Sequence, residues 1–148
     1  EQPMTDERPK VLIVEARYYT DVADLLVNSV IAELDAAECA YERVEVPGVF
    51  EVPAAILHAM QSDREYAGAI ALGCVIRGET SHYDHICEEA SRALMDISLS
   101  GVPLGFGILT VENKEQAMVR ADPKAKNKGA EIADACLRMI EIENMFAE

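Results

Sequence analysis

The feature that most constrains the fold is an almost uninterrupted apolar run at residues 67–76. A strand without alternating polar residues is typical of the centre of a parallel sheet, where helices cover both faces. Shorter runs of strand type occur at residues 11–14, 41–46 and 104–110. The pattern therefore predicts a central sheet of four strands.

Helical spacing of apolar residues separates these strands. Val22, Leu26 and Val30, for example, recur four residues apart. We expect Asn113 to cap one helix, with Gln116 in the reciprocal capping position. Strands that alternate with helices predict parallel βαβ units, and hence a three-layer αβα sandwich. The predicted helices cover residues 21–37, 52–61, 82–99, a segment after Asn113, and 129–145.

The chain reads as one domain, residues 10–148, after a polar start. Residues 1–9 contain two prolines and few apolar side chains, which predicts a flexible N-terminal tail. A chain of 148 residues can bury a sizeable core without disulfides or metal. We find no internal repeat, linker or low-complexity segment.

The charge excludes several classes of partner. The chain carries 27 Asp and Glu against 13 Lys and Arg, a formal net charge of −14. Nucleic-acid binding usually needs a clustered basic face, and the basic run at residues 124–128 lies among acidic neighbours. We therefore expect no nucleic-acid partner and no binding to anionic membranes. An anionic small molecule must be held by a few placed groups.

The cysteines and the hydropathy predict a cytoplasmic location. Widely spaced cysteines without a C-x-x-C motif are typical of reduced thiols in a cytosolic protein. We find no apolar stretch of about 18 residues and no leader sequence, so we expect neither a membrane span nor a signal peptide. The four cysteines are Cys39, Cys74, Cys87 and Cys136.

The loop at residues 77–82 is the richest in polar groups among the loops that follow strands. Ligands of open parallel sheets bind outside the carboxyl ends of the strands. The free N–H groups at a helix start favour an anion, Gly78 permits close approach, and Thr80 and Ser81 add hydroxyl donors. The alternative is that Thr80 or Ser81 only caps the helix.

Two histidines follow in this region, and they allow more than one interpretation. His82 and His85 lie three residues apart, on one helix face, as metal ligands can. No third ligand is evident and no H-E-x-x-H motif occurs, so we expect no metal. A histidine beside an anion site can instead carry protons, since its pKa of about 6.5 allows both donation and acceptance. An exposed histidine without a role is the third possibility.

Two further loops could bind a flat ligand. Residues 47–53 are braced by two prolines, and their backbone could contact the edge of a heterocycle. The alternative is a plain connection in which Phe50 belongs to the core. Tyr18, after the first strand, could stack on a planar ring or be structural. Cys74 lies in a strand too apolar to favour a reactive thiolate.

Taken together, four blocks of the sequence resemble the lumazine synthase family. Their order and spacing are similar to the family from Val11 to about Met139, and Arg120 lies in the helix before the last block. Several long blocks in register are far more specific than a single short motif. The blocks are PGVFEVP at 47–53, GCVIRGETSHYD at 73–84, PLGFGILT at 103–110 and NKG at 127–129.

The resemblance implies a flavodoxin-like fold and a transferase of riboflavin biosynthesis. Such enzymes condense 5-amino-6-(D-ribitylamino)uracil with 3,4-dihydroxy-2-butanone 4-phosphate. The products are 6,7-dimethyl-8-ribityllumazine, phosphate and water, and neither a metal nor an organic cofactor is used. Family members form pentamers, some of which build decamers or 60-subunit shells, and each site lies between adjacent subunits.

The resemblance also implies roles for individual residues. Tyr18 takes the place of a phenylalanine or tryptophan that stacks on the uracil ring. His82 would transfer protons, and Glu79 and Thr80 would bind phosphate through their amides. The residues implied to contact the pyrimidine substrate are Val49, Phe50, Glu51, Val75 and Ile76. The residues implied to come from the neighbouring subunit are Phe106, which covers the ring, Arg120, which pairs with phosphate, and Lys128.

Other classes of function remain as alternatives. A lumazine- or flavin-binding homologue with weak catalysis would keep the ring-contacting loops but not the phosphate site; the presence of His82, Arg120 and Lys128 together argues against it. A homologue whose role is to assemble a shell, and for which turnover matters less, would tolerate loss of His82. A generic nucleotide-binding domain is disfavoured, because no G-x-G-x-x-G or P-loop motif follows the first strand.

Overall fold

The fold was examined in a computed structural model that describes residues 7–78 and 83–147. Within these residues the chain forms a four-stranded, all-parallel sheet in the order β2-β1-β3-β4. The strands are β1 (Lys10–Ala16), β2 (Ala40–Val46), β3 (Gly68–Ile76) and β4 (Leu104–Val111). The helices are α1 (Thr20–Ala36), α2 (Val52–Met60), α3 (Tyr83–Leu99), α4 (Lys114–Ala121) and α5 (Lys128–Met145).

This arrangement confirms the predicted three-layer αβα sandwich, and its strand order is that of flavodoxin-like folds. One face of the sheet packs against α1, α4 and α5, through strand residues such as Ile13 and Ile70. The other face packs against α2 and α3, through residues such as Leu12 and Val14. Each fully buried side chain of this size stabilises the fold by about 1.5–3 kcal/mol. The core therefore holds the carboxyl ends of β1 and β3 side by side.

Close packing of α5 against the sheet depends on a glycine in β4. A Cβ atom at Gly105 would lie 2.6 Å from the Ile132 carbonyl oxygen, which is backbone and cannot move aside locally. A side chain there would push α5 away from β4.

The predicted cap of α4 is present with one difference. The Asn113 Oδ1 accepts a hydrogen bond of 2.8 Å from the Gln116 N–H, as predicted. The Gln116 Oε1 accepts from the Glu112 N–H at 2.8 Å, whereas a capping box would use the N–H of Asn113 itself. The expected reciprocal pairing is therefore displaced by one residue, because the Gln116 side chain reaches back past the cap to the end of β4.

The predicted tail falls mostly on residues 1–6, which lie outside the described residues, so its flexibility stays a prediction. At Pro9 the chain is already tied to the sheet, since its carbonyl oxygen accepts a 2.8 Å hydrogen bond from the Ala40 N–H. None of the helices in the described part of the chain has the length and apolar character needed to cross a membrane.

Candidate active site

A groove of about 330 Å³ opens at the carboxyl ends of β1, β2 and β3. Its size falls within the range of small-molecule sites, about 300–1,000 Å³. The groove lies where strand order reverses between β1 and β3, the position at which open parallel sheets bind ligands. The lining residues are Ala16, Tyr18, Tyr19, Pro47, Gly48, Val49, Cys74, Val75, Ile76 and Ile86.

The first wall of the groove is the short loop between β1 and α1. The Tyr18 side chain is 77% exposed, and its ring meets Tyr19 edge to face, with 4.9 Å between centroids. The Lys114 Nζ lies 5.9 Å from the centre of the Tyr19 ring. The Tyr18 ring is thus exposed beside the groove, and its predicted stacking on a planar ligand stays a prediction.

The second wall follows β2. Val49–Glu51 forms a 3-10 turn that leads into α2, with Pro53 in its first turn. Val49 is buried and packs so closely on the sheet that a Cβ atom at Gly73 would lie 2.7 Å from its Cγ2. Phe50 and Glu51 are exposed. The alternative that Phe50 belongs to the core is therefore wrong, because the turn directs its side chain away from the sheet.

The floor of the groove is the end of β3. Val75 and Ile76 have buried side chains, so what they offer a ligand is mainly backbone. Burial raises the pKa of the Cys74 thiol to about 11. The thiol is therefore neutral at physiological pH, which agrees with the sequence argument against a cysteine nucleophile.

Arg77 joins three elements at the rim next to the polar loop. Its Nε donates to Glu112 Oε2 at 3.1 Å, its Nη1 lies 3.6 Å from Asp84 Oδ1, and its guanidinium lies 4.6 Å from the centre of the Tyr83 ring. The Glu112 hydrogen bond, with a smaller contribution from Asp84, raises the Arg77 pKa. Gly78 has φ +86°, a left-handed conformation that glycine adopts without strain.

The predictions for the polar loop itself are not tested. Glu79, Thr80, Ser81 and His82 lie outside the described residues, so the anion-binding, capping and proton-transfer interpretations stay predictions. In the part of the chain that the structure describes, no group of three or more His, Cys, Asp or Glu side chains is placed to hold a metal ion.

Phe106, Arg120 and Lys128 do not line the groove of their own chain. Phe106 pairs with Ala71 in the middle of the sheet, four residues, or about 13 Å, before Val75. The Arg120 Nη1 donates to the Gln116 carbonyl oxygen at 3.3 Å. Lys128 begins α5 and pairs with Glu131 at 3.2 Å.

Phe106 lies instead at a second cavity. This cavity has a volume of about 280 Å³ and is formed by α3 and β4. Phe106 remains 46% exposed there. Of the residues predicted around the pyrimidine, the groove is lined by Tyr18, Val49, Val75 and Ile76. Phe50 and Glu51 follow Val49 in the same turn but do not line the groove. The three predicted neighbour residues lie elsewhere.

One charged cluster next to the groove was missed by the sequence analysis. The Glu15 side chain is 4% exposed and accepts hydrogen bonds from Arg17 Nη1 at 2.7 Å and from Arg43 Nε at 2.7 Å. Arg17 also pairs with Asp24 of α1. The available signal was a glutamate inside the apolar run of β1, since a buried carboxylate requires a partner.

Comparison with known proteins places the chain in a family. The family model described as 6,7-dimethyl-8-ribityllumazine synthase matches residues 8–144. A Bartonella tribocorum protein of that name is 46% identical over 143 residues, covering 96% of this chain and 95% of the relative. A Sphingopyxis alaskensis protein of the same name is 48% identical over 136 residues, covering 92% and 96%. Together with the groove at the switch point of a flavodoxin-like sheet, these matches show that the chain belongs to the 6,7-dimethyl-8-ribityllumazine synthase family, transferases of riboflavin biosynthesis.

Proposed function

We propose that this chain condenses 5-amino-6-(D-ribitylamino)uracil with 3,4-dihydroxy-2-butanone 4-phosphate to form 6,7-dimethyl-8-ribityllumazine, phosphate and water in the cytoplasm. The observation that carries the proposal is the groove, which combines an exposed aromatic ring with the end of β3, beyond its last pairing with β1 at Leu72, in a chain of this family. The cysteines are all free, as is usual for a cytosolic protein.

The pyrimidine ring occupies the space between Tyr18 and the end of β3. The 77% exposed ring of Tyr18 supplies a stacking surface. Val75 and Ile76 contact the heterocycle through their backbone, because their side chains are buried on either face of the sheet.

The ribityl chain runs along the second wall. Val49 and Phe50 contact the chain and the neighbouring ring edge. The exposed Glu51 carboxylate follows directly in the same 3-10 turn. Carboxylate oxygens accept strong hydrogen bonds from hydroxyl groups, so Glu51 binds the ribityl hydroxyls.

The phosphate of the second substrate requires placed donors, because the chain has a net charge of −14. Backbone amides of Glu79 and Thr80 bind it, which requires the Glu79 carboxylate to point away. Arg120 of a neighbouring subunit adds a charge-assisted contact. A helix start and one arginine suffice for a phosphate even in an acidic protein.

No metal or organic cofactor is needed for this reaction. The amine of the pyrimidine adds to the ketone to give a Schiff base, phosphate leaves, and the second ring closes. Orientation of two bound substrates can supply about 7–11 kcal/mol of the rate acceleration. His82 moves protons between these steps, which adds about 10²–10⁴-fold.

The reaction itself gives the first test. The protein is mixed with both substrates in the presence of a chelator, and lumazine formation is followed by its fluorescence. We expect product without added metal, because the residues proposed for the site form no recognised metal-binding motif. A requirement for added metal, or no product under any condition, would contradict the proposed function.

The assembly gives the second test. Phe106, Arg120 and Lys128 lie away from the groove of their own chain, so a complete site needs a neighbour. We therefore propose that the protein is a pentamer or a multiple of five, and we expect such a mass by sedimentation velocity. A fully active monomer, measured by light scattering at assay concentration, would exclude the shared site.

A further inference from the structure

Arg17 connects both ends of the loop that carries Tyr18. Its guanidinium donates to Glu15 Oε1 of β1 at 2.7 Å and pairs with Asp24 in the second turn of α1. The Arg17 side chain is only 16% exposed and Glu15 is 4% exposed. The bond to Glu15 is therefore stronger than that of a fully exposed pair, whereas Asp24 is 62% exposed. We call these two ion pairs the Arg17 bridge.

Tyr18 itself has little packing to hold it. Its side chain is 77% exposed, and its ring meets Tyr19 by an edge. The direction of the ring therefore depends on the backbone of the loop, which connects β1 at Ala16 to α1 at Thr20. Since Arg17 precedes Tyr18 directly, its two ion pairs restrain the backbone from which the Tyr18 side chain extends.

Arg17 does not line the groove. It lies at a separate surface cavity formed with Glu15, Asp24, Arg43 and Glu45. Any effect of Arg17 on a ligand in the groove must therefore pass through the loop, and not through direct contact.

We propose that Arg17 is a positioning residue for the pyrimidine substrate, which holds the loop so that the Tyr18 ring lies over the groove. The proposal rests on the proposed function, because it takes the pyrimidine as the ligand that Tyr18 contacts. The ketone phosphate, which is bound by other groups, does not depend on the bridge.

Arg43 offers a matched control on the same carboxylate. It donates to Glu15 through Nε at 2.7 Å and Nη2 at 3.1 Å. It lies on β2, opposite Ile13, and so is not part of the Tyr18 loop. Arg17→Met leaves Glu15 paired with Arg43, and Arg43→Met leaves Glu15 paired with Arg17. Neither variant leaves the buried Glu15 carboxylate without an arginine partner.

The experiment compares both variants with the wild-type enzyme. Each substrate is varied while the other is saturating, and melting temperatures are recorded. For Arg17→Met we expect a roughly 10-fold rise in KM for the pyrimidine, because small misplacements of binding groups are costly. Its KM for the ketone phosphate should stay within about twofold, as should both KM values of Arg43→Met. Equal effects of the two variants, or equal effects on the two substrates, would make the bridge merely structural.

Two further measurements keep the proposal testable if Arg17→Met folds poorly or the reaction fails. Asp24→Asn removes one half of the bridge at an exposed position and should show the same selectivity with a smaller rise of roughly threefold. Hydrogen exchange of the loop peptide, without substrate, should be faster in Arg17→Met and unchanged in Arg43→Met. Unchanged exchange in Arg17→Met would overturn the bridge whether or not the wild-type protein makes lumazine; an inactive wild-type protein would overturn only the proposed function.

Discussion

Replacement of His82 by alanine is expected to lower kcat by about 10- to 10³-fold while both substrates still bind. His82 follows the loop proposed to bind phosphate. The dipole of a following helix disfavours an imidazolium, whereas a bound phosphate favours it. We therefore expect substrate binding to favour the protonated form of His82, which would give a proton to the departing phosphate or to the carbonyl oxygen. We expect a partial loss, because orientation of the substrates is proposed to supply most of the rate acceleration.

His85 provides the matched control for this prediction. It lies in the first turn of α3, three residues after His82, and its side chain is exposed. His85→Ala should change kcat far less than His82→Ala. Single-turnover and steady-state rates would be measured for both variants. Equal losses at the two positions, or unchanged turnover in His82→Ala, would remove His82 from the mechanism.

Replacement of Arg120 by alanine is expected to lower kcat/KM for the ketone phosphate by a factor that corresponds to about 1.5–3 kcal/mol. This is the free energy of a hydrogen bond to a charged group. Arg120 stands in the last turn of α4, where its Nη1 donates to the Gln116 carbonyl oxygen at 3.3 Å. Its remaining donors are those proposed to bind the phosphate of a substrate in the groove of a neighbouring subunit. The KM of the pyrimidine should change little.

Arg138 is a suitable control, because it is an exposed arginine of α5 paired with Glu141 at 3.0 Å. Arg138→Ala should leave both KM values near those of the wild-type enzyme. Inorganic phosphate should compete with the ketone phosphate in the wild-type enzyme and less well in Arg120→Ala. An equal rise in KM for both substrates in Arg120→Ala would show that Arg120 has only a structural role.

The fold could be predicted from the sequence because its signals are local. The continuous apolar run of β3 specifies a strand buried on both faces, and helical spacing marks segments such as α1. The predicted boundaries that fall on described residues lie within two residues of those observed. Parallel strands need crossover helices, so the alternation of elements largely determines the three layers.

The candidate site could be predicted only in part. Tyr18, Val49 and Val75 follow or end different strands, and the rule that carboxyl ends of parallel strands meet at one edge brings them together. Phe106 is the third residue of β4 and pairs with Ala71, away from that edge, and the predicted strand at residues 104–110 already places it near the strand start. Sequence spacing does not show which helix lies beside Phe106; the cavity that it lines with Leu94 and Met95 of α3 follows from how α3 packs on the sheet.

The sequence by itself determined the alternation of strands and helices, and through it the edge of the sheet that carries the groove. Only the tertiary structure decided how the charged residues beside that edge are paired. Glu15 and Arg43 are 28 residues apart, and they meet because β1 and β2 pair in parallel with Ile13 opposite Arg43. A glutamate in a buried strand needs a charged or hydrogen-bonding partner, and this can be inferred from the sequence. Which arginines fill that need depends on the register of β1 and β2, which are joined by α1 and not by a hairpin turn whose length would fix that register.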